Sequence, residues 1–260
     1  MKIAMIGAGA MGGATVEGLL KAGHEGKDIC VSDPSQVVLE RFAGMGVSVT
    51  TDNAEATRGA DVVVIVVKPW LVEQVLTGIK DALQPERQVL VVIAAGVPSK
   101  SIREWLGEQC PPLFLCIPNI AIAQLQSMTF LVPCGAMASH HTERLKGLLG
   151  EMGQVLITDE QHLAAGTTLA SCGIAYAMRY IRAASEGGVE LGFKADDAKQ
   201  IVMQTVRGAV ELLEASGMHP EQAIDLVTTP GGVTIRGLSE MEHAGFTSAV
   251  IRGLKAGGKC

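Results

Sequence analysis

The run Gly7-Ala8-Gly9-Ala10-Met11-Gly12 follows a short apolar run, Ile3–Ile6, and precedes a helical stretch over residues 13–22. Glycines at this spacing suit a phosphate-binding turn. Gly7 permits the tight turn, Gly9 lets the backbone approach a pyrophosphate, and Gly12 lets the helix pack on the strand with its positive end toward the phosphates. Asp33 stands 21 residues after Gly12, at the end of the next apolar run, Ile29–Ser32. From that place a carboxylate accepts hydrogen bonds from an adenosine ribose. It also repels a 2′-phosphate, and Pro34-Ser35-Gln36 bring no Arg or Lys to hold one. NAD(P)H is therefore the expected coenzyme, with a lean toward NADH. Asp33-Pro34 equally suits the start of the following helix, and one carboxylate can do both. Ser32, Asn53, Val67-Lys68-Pro69 and Ala94-Ala95 fall at the ends of further apolar runs, the rim where open α/β sheets bind ligands. Small Ala94 and Ala95 leave space for a flat ring, whereas Lys68 alone also reads as a solvated loop charge.

The elements that must position these residues are legible as alternation. Apolar runs at Ile3–Ile6, Ile29–Ser32, Val47–Thr50, Val62–Val67, Val89–Ala94, Leu113–Ile117, Met128–Val132 and, more weakly, Gln154–Ile157 are separated by helix-like segments. Runs apolar on both faces are what strands covered by helices on each side of a parallel sheet look like. The expected fold is α/β, a Rossmann-type doubly wound sheet over residues 1–158. After Asp159 the strands stop, and helical periodicity runs through Leu163–Ala184, Ala195–Ser216 and the segments after Pro220 and Phe246. Residues 159–260 are expected to form an all-helical substrate-binding and dimerisation domain. Its first helix, around Leu163–Met178, is apolar nearly all round, so a second copy of the chain is expected to cover it in a homodimer or an oligomer built on dimers.

With 260 residues, 48% hydrophobic and 18% charged, the chain can bury a substantial core, and the disordered class is excluded. Lys and Arg number 21 against 27 Asp and Glu, and aromatics are 3%. Neither a basic stripe nor a stacking platform is available for nucleic acid. The charge-free stretches Pro111–Thr142 and Gln161–Met178 are broken by prolines or by Thr167, Thr168 and Ser171, so both read as buried segments and no membrane partner is expected. The six scattered cysteines lack a Cys-x-x-Cys pair and read as reduced thiols, and the six residues before the glycine turn are too short for a secretory leader. A cytoplasmic setting is expected.

The segment Thr228-Thr229-Pro230-Gly231-Gly232-Val233-Thr234-Ile-Arg-Gly-Leu238, with Met241-Glu-His-Ala-Gly245-Phe246 after it, resembles the signature of pyrroline-5-carboxylate reductases. The likeness extends to the glycine turn, Val67-Lys68-Pro69, Ala94-Ala95-Gly96-Val97, Ile117-Pro118-Asn119 and Gly166-Thr-Thr-Leu169. The resemblance implies reduction of the cyclic imine 1-pyrroline-5-carboxylate to proline by a nicotinamide coenzyme, the last step of proline biosynthesis. It also implies that backbone amides of Gly231, Gly232 and Val233 and the Thr234 hydroxyl hold the substrate carboxylate, with Asn119 at the substrate site. Amides at a helix start suit an anion. Thr234 is the one candidate for a polar catalytic contact. Protonated imines accept hydride without a strong base, which suits a chain whose six histidines sit at turns and helix ends. Departures from the family pattern cluster at Ser171-Cys172-Gly173-Ile174-Ala-Tyr176, Leu115, Ile120 and Gln124–Ser127. They keep two alternatives open: a reductase of another cyclic imine or ketimine, and a catalytically silent paralogue that binds coenzyme. A hydroxy-acid dehydrogenase is disfavoured because Leu163–Met178 carries no lysine.

Overall fold

The structure, a computed structural model, describes residues 1–258; Cys260, one of the six cysteines, and the last two residues of the expected second domain lie outside the described residues. The elements follow in the order β1 (Ile3–Ile6), α1 (Ala10–Lys21), β2 (Ile29–Ser32), α2 (Gln36–Ala43), β3 (Ser48–Thr50), α3 (Asn53–Arg58), β4 (Val62–Ile65), α4 (Val72–Ile79), β5 (Val89–Val92) and α5 (Ser99–Leu106). There follow β6 (Leu113–Ile117), β7 (Ser127–Cys134), α6 (Ala136–Ser139), α7 (Thr142–Gly150), β8 (Gly153–Ile157) and α8 (Leu163–Gly166). Among the described residues only helices follow: α9 (Gly173–Glu190), α10 (Ala195–Ser216), α11 (Pro220–Val227), α12 (Val233–His243) and α13 (Phe246–Gly257).

All eight apolar runs become strands of one sheet, in the order β3-β2-β1-β4-β5-β6-β7-β8. Alternate residues of each strand serve opposite faces. Ile3, Met5, Val62 and Val64 face the cluster containing Val16, Leu19 and Leu148 of α1 and α7. Ala4, Ile6, Val63 and Ile65 face the cluster containing Leu76, Ile79, Ile102 and Leu106 of α4 and α5. Burial on both faces is why these strands read as continuous apolar runs. Two runs end sooner than their apolarity indicates: β4 stops at Ile65 and β5 at Val92, because Val66–Pro69 and Ile93–Gly96 turn into the rim. The sheet also departs from an all-parallel arrangement. β7 runs antiparallel to β6, and β8 is parallel to β7. Residues 118–126 connect the two strands through a 3₁₀ turn, Ile120–Gln124, closed by Leu125 in the left-handed region, and a connection this short cannot carry the chain back for a parallel crossing.

The first compact unit runs from Met1 to Ser171 and the second begins at Cys172. The helix expected over Leu163–Ala184 is interrupted: Thr167–Cys172 is a π-helical turn between α8 and α9. Its causes are local and tertiary together. The hydroxyls of Thr167 and Thr168 donate back to the carbonyls of Leu163 and Ala164, at 2.7 and 3.2 Å, loosening the regular ladder. Asn119 Nδ2 donates to the Ala170 carbonyl at 3.4 Å, and Ser171 Oγ donates to the Pro118 carbonyl at 3.1 Å. Within the second unit, the only fully buried side chain among the described residues is Ala198, while Leu191, Leu212, Leu226 and Val233 stand exposed. A helical unit of this size with so little interior depends on a covering surface for its stability. No helix among the described residues is long and apolar enough to cross a membrane.

Candidate coenzyme and substrate sites

The glycine turn is built by close approach. Gly7 has φ +90°, and a Cβ there would lie 2.3 Å from the Val66 carbonyl oxygen; a Cβ on Gly12 would lie 2.0 Å from the Gly7 carbonyl oxygen. Side chains at either place would force β1, α1 and the end of β4 apart. A Cβ on Gly9, by contrast, would meet no atom within 4 Å, so the face of the turn that a diphosphate needs is open. Gly13 N donates to Gly9 O at 2.8 Å to begin α1, which has no side-chain cap and no acid in its first turn. The amides of Ala10, Met11 and Gly12 thus lack intrahelical partners and present positive charge to that open face. A cradle of this kind could hold the diphosphate of a dinucleotide, and it is formed by the expected residues Gly7, Ala8, Gly9, Ala10, Met11 and Gly12.

The end of β2 closes onto the same turn. Gly7 N donates to Ser32 O at 2.8 Å. Asp33, half-buried, accepts from Ala8 N at 2.9 Å through one carboxylate oxygen and from Ser35 N at 2.9 Å through the other. Ser35, whose side chain forms no cap, is the residue that precedes α2. The carboxylate therefore orders the Asp-Pro-Ser turn and the glycine turn, and it is not the cap of α2. Ser32 Oγ donates to Asn53 Oδ1 at 2.7 Å, which fixes the first residue of α3 beside the end of β2. Asn53 is held further by Asp52, which caps α3 through the amide of Ala54.

Val67, Lys68 and Pro69 leave β4 at the rim, with Val67 against Gly7 and with Lys68 and Pro69 exposed. Ala94 is buried and Ala95 exposed as the chain leaves β5 into Gly96, at φ +78°. The residues expected at the coenzyme thus come from the carboxyl ends of β1, β2, β3, β4 and β5, which flank the point where the strand order reverses. Asn119 follows β6 and is buried; its amide oxygen accepts from Ala121 N at 3.0 Å while its Nδ2 meets Ala170. Two departures from the family pattern separate here. Leu115 is a core residue of β6, and Ile120 is half exposed. The Asp33–Ala8 and Ser171–Pro118 bonds had no signal in the sequence, since they link residues 25 and 53 positions apart.

In the second unit, Gly231 takes φ +68° and Gly232 leads into α12. A Cβ on Gly232 would lie 2.4 Å from Thr229 Oγ1, and Gly232 N donates to Thr229 O at 2.9 Å. The turn is compact because both glycines are. α12 starts without a side-chain cap and without an acid in its first turn, so the amides of Val233 and Thr234 are free for an anion, with the half-buried Thr234 hydroxyl beside them.

Comparison with known proteins places these features. A family model described as NADP oxidoreductase coenzyme F420-dependent matches residues 2–96, and one described as pyrroline-5-carboxylate reductase dimerisation matches residues 160–259. Pyrroline-5-carboxylate reductase 1 of Dictyostelium discoideum is 35% identical over 264 residues, which cover 97% of this chain and 48% of that protein, so the chain spans about half the length of that relative. The pyrroline-5-carboxylate reductase of Pseudomonas aeruginosa is 33% identical over 257 residues, covering 98% of this chain and 93% of that one. A Plasmodium falciparum pyrroline carboxylate reductase, solved with NADP bound, has a TM-score of 0.89 at 24% identity over 100% of this chain and 96% of its own, a likeness of fold. Strand order, glycine cradle, carboxyl-terminal helices and relatives agree: this chain belongs to the pyrroline-5-carboxylate reductase family.

Proposed function

We propose that the chain reduces the C=N bond of 1-pyrroline-5-carboxylate to proline with a nicotinamide coenzyme. The observation that carries this reading is the uncapped start of α12 on the Pro230-Gly231-Gly232-Val233-Thr234 turn, an anion site of the size of one carboxylate. The amides of Gly231 and Val233 and the Thr234 hydroxyl hold that carboxylate, whereas the Gly232 amide expected there is taken by the Thr229 carbonyl, and Asn119 supports the substrate side through the turn after β6. Gly7–Gly12, Ser32, Asp33, Asn53, Val67–Pro69, Ala94 and Ala95 hold the coenzyme. When bound, the dihydronicotinamide supplies hydride to the electrophilic carbon of a protonated imine. The protein's own work is to fix the substrate by its carboxylate and to offer no group that must first remove a proton. Thr234 is the polar group assigned to the reacting end, and water can deliver the proton to nitrogen.

NADH is the coenzyme of this reading. Two backbone amides hold the Asp33 carboxylate in place, and no cation lies in Pro34-Ser35-Gln36 to balance a 2′-phosphate. The exposed apolar surface of the second unit supports a homodimer. A cytoplasmic setting belongs to the same reading, being the compartment in which the five unpaired cysteines of the described residues stay reduced.

A steady-state assay with racemic 1-pyrroline-5-carboxylate and each nicotinamide tests the proposal, with proline as product and NADH preferred. Faster turnover of a six-membered cyclic imino acid would move the assignment to another imine; tight coenzyme binding without turnover of any imine would make the chain a silent paralogue. Thr234→Ala is expected to raise KM for the imino acid about tenfold, the loss of one hydrogen bond to a charged group. Unchanged KM and kcat would remove Thr234 from the site.

A further inference from the structure

Asp33 does something in this fold that ribose recognition does not require. Its two carboxylate oxygens are each engaged by a backbone amide, one from Ala8 in the middle of the glycine turn and one from Ser35. The carbonyl of Ser32 meanwhile holds the amide of Gly7. The end of β2 thus grips two consecutive residues of the turn, through one main-chain acceptor and one side-chain acceptor. Resting on the coenzyme reading above, we propose that Asp33 is a positioning residue for the diphosphate as well as a partner of the ribose: its carboxylate is the strut that presets the glycine turn before any ligand arrives.

The two roles differ in sign for a ligand without a ribose. Asp33 carries a negative charge close to the cradle. If ribose recognition were its whole role, deleting it would leave the binding of a bare diphosphate unchanged or, by Coulomb's law, make it tighter. As a strut, its deletion frees the Ala8 amide to water and lets the turn relax, so a bare diphosphate binds more weakly despite the lost repulsion.

The test uses the full-length protein, inorganic pyrophosphate as probe, calorimetry for affinity and hydrogen exchange resolved at the Ala8 amide. Asp33→Ala is expected to weaken pyrophosphate binding about threefold or more and to speed exchange at Ala8 about tenfold. Asp33→Asn keeps one acceptor oxygen, so it falls between, and it carries the same test if the alanine variant folds poorly. Pyrophosphate bound as tightly as by wild type or more tightly, or Ala8 exchange unchanged, overturns the strut. The outcomes separate the two proposals: wild type that binds pyrophosphate with Ala8 protected but reduces no imine defeats the functional reading alone. Imine reduction with an unmoved Ala8 amide defeats the strut alone.

Discussion

Replacing Gly12 and Gly9 by alanine, one at a time, separates packing from ligand binding within a single turn. A methyl on Gly12 would lie 2.0 Å from the Gly7 carbonyl oxygen, 3.0 Å from its carbon and 3.4 Å from Val66 Cβ. A comfortable carbon–oxygen contact is about 3.3 Å, so the start of α1 must retreat from β1 by about 1.3 Å. Overpacking of this kind costs about 1–3 kcal/mol. At this chain length that lowers Tm by about 2–4 °C per kcal/mol, and a displaced cradle weakens NADH binding by about tenfold or more. A methyl on Gly9 meets no atom within 4 Å, and φ there is −64°, which alanine adopts freely. Gly9→Ala should therefore change stability by less than about 1 kcal/mol while filling the face proposed for the diphosphate, so on that proposal its NADH affinity falls with little change in Tm. Thermal unfolding of the ligand-free proteins and calorimetric titration with NADH read both quantities. Wild-type NADH affinity in Gly9→Ala would refute the placement of the diphosphate, and an unaltered Tm in Gly12→Ala would refute the packing argument.

Two further outcomes follow from other parts of the molecule. The Lys2 backbone amide, donating at 2.8 Å, and then the nearby Arg87 hold the Asp61 carboxyl below its ordinary value of 3.8. The native state thus binds its proton less readily than the unfolded chain, and the resulting stabilisation is present above that ordinary value and is lost as pH falls through the lowered one. Asp61→Asn should cost about 1 kcal/mol at neutral pH, a cost that shrinks as pH falls through the lowered value, measured by urea unfolding across pH; a difference that does not shrink with acidification would refute the assignment. Because Ala198 is the only fully buried side chain among the described residues of the second unit, the chain should sediment as a dimer or larger at micromolar concentration. A monomer in sedimentation velocity would leave that exposed apolar surface without its explanation.

Much of the fold is legible in the sequence because its signals are local. The run Val62–Val67 is apolar at every position, and only a strand covered on both faces keeps such a pattern, so the existence and order of the eight strands follow from reading along the chain. Gly7 and Gly12 were identifiable in the same way, since a turn that brings backbone to backbone leaves room for no other residue. Direction and register are different matters. The reversal of β7 turns on the short 118–126 connection and on Leu125 entering the left-handed region, which no periodicity announces. The π turn at Thr167–Cys172 is tied to the turn after β6 by the Asn119 bond to the Ala170 carbonyl and the Ser171 bond to the Pro118 carbonyl, so helical periodicity alone runs straight through it.

Composition and spacing by themselves determined the layered α/β half, the helical half, the tight glycine turn after β1 and the position of the acid that follows β2. Only the tertiary structure decided which way the last two strands run, where the helix breaks, and that Asp33 is tied to Ala8. The physical reason is range: side-chain pattern and backbone freedom act over a few residues, whereas a hydrogen bond across 25 or 53 positions exists only once the sheet has brought its ends together.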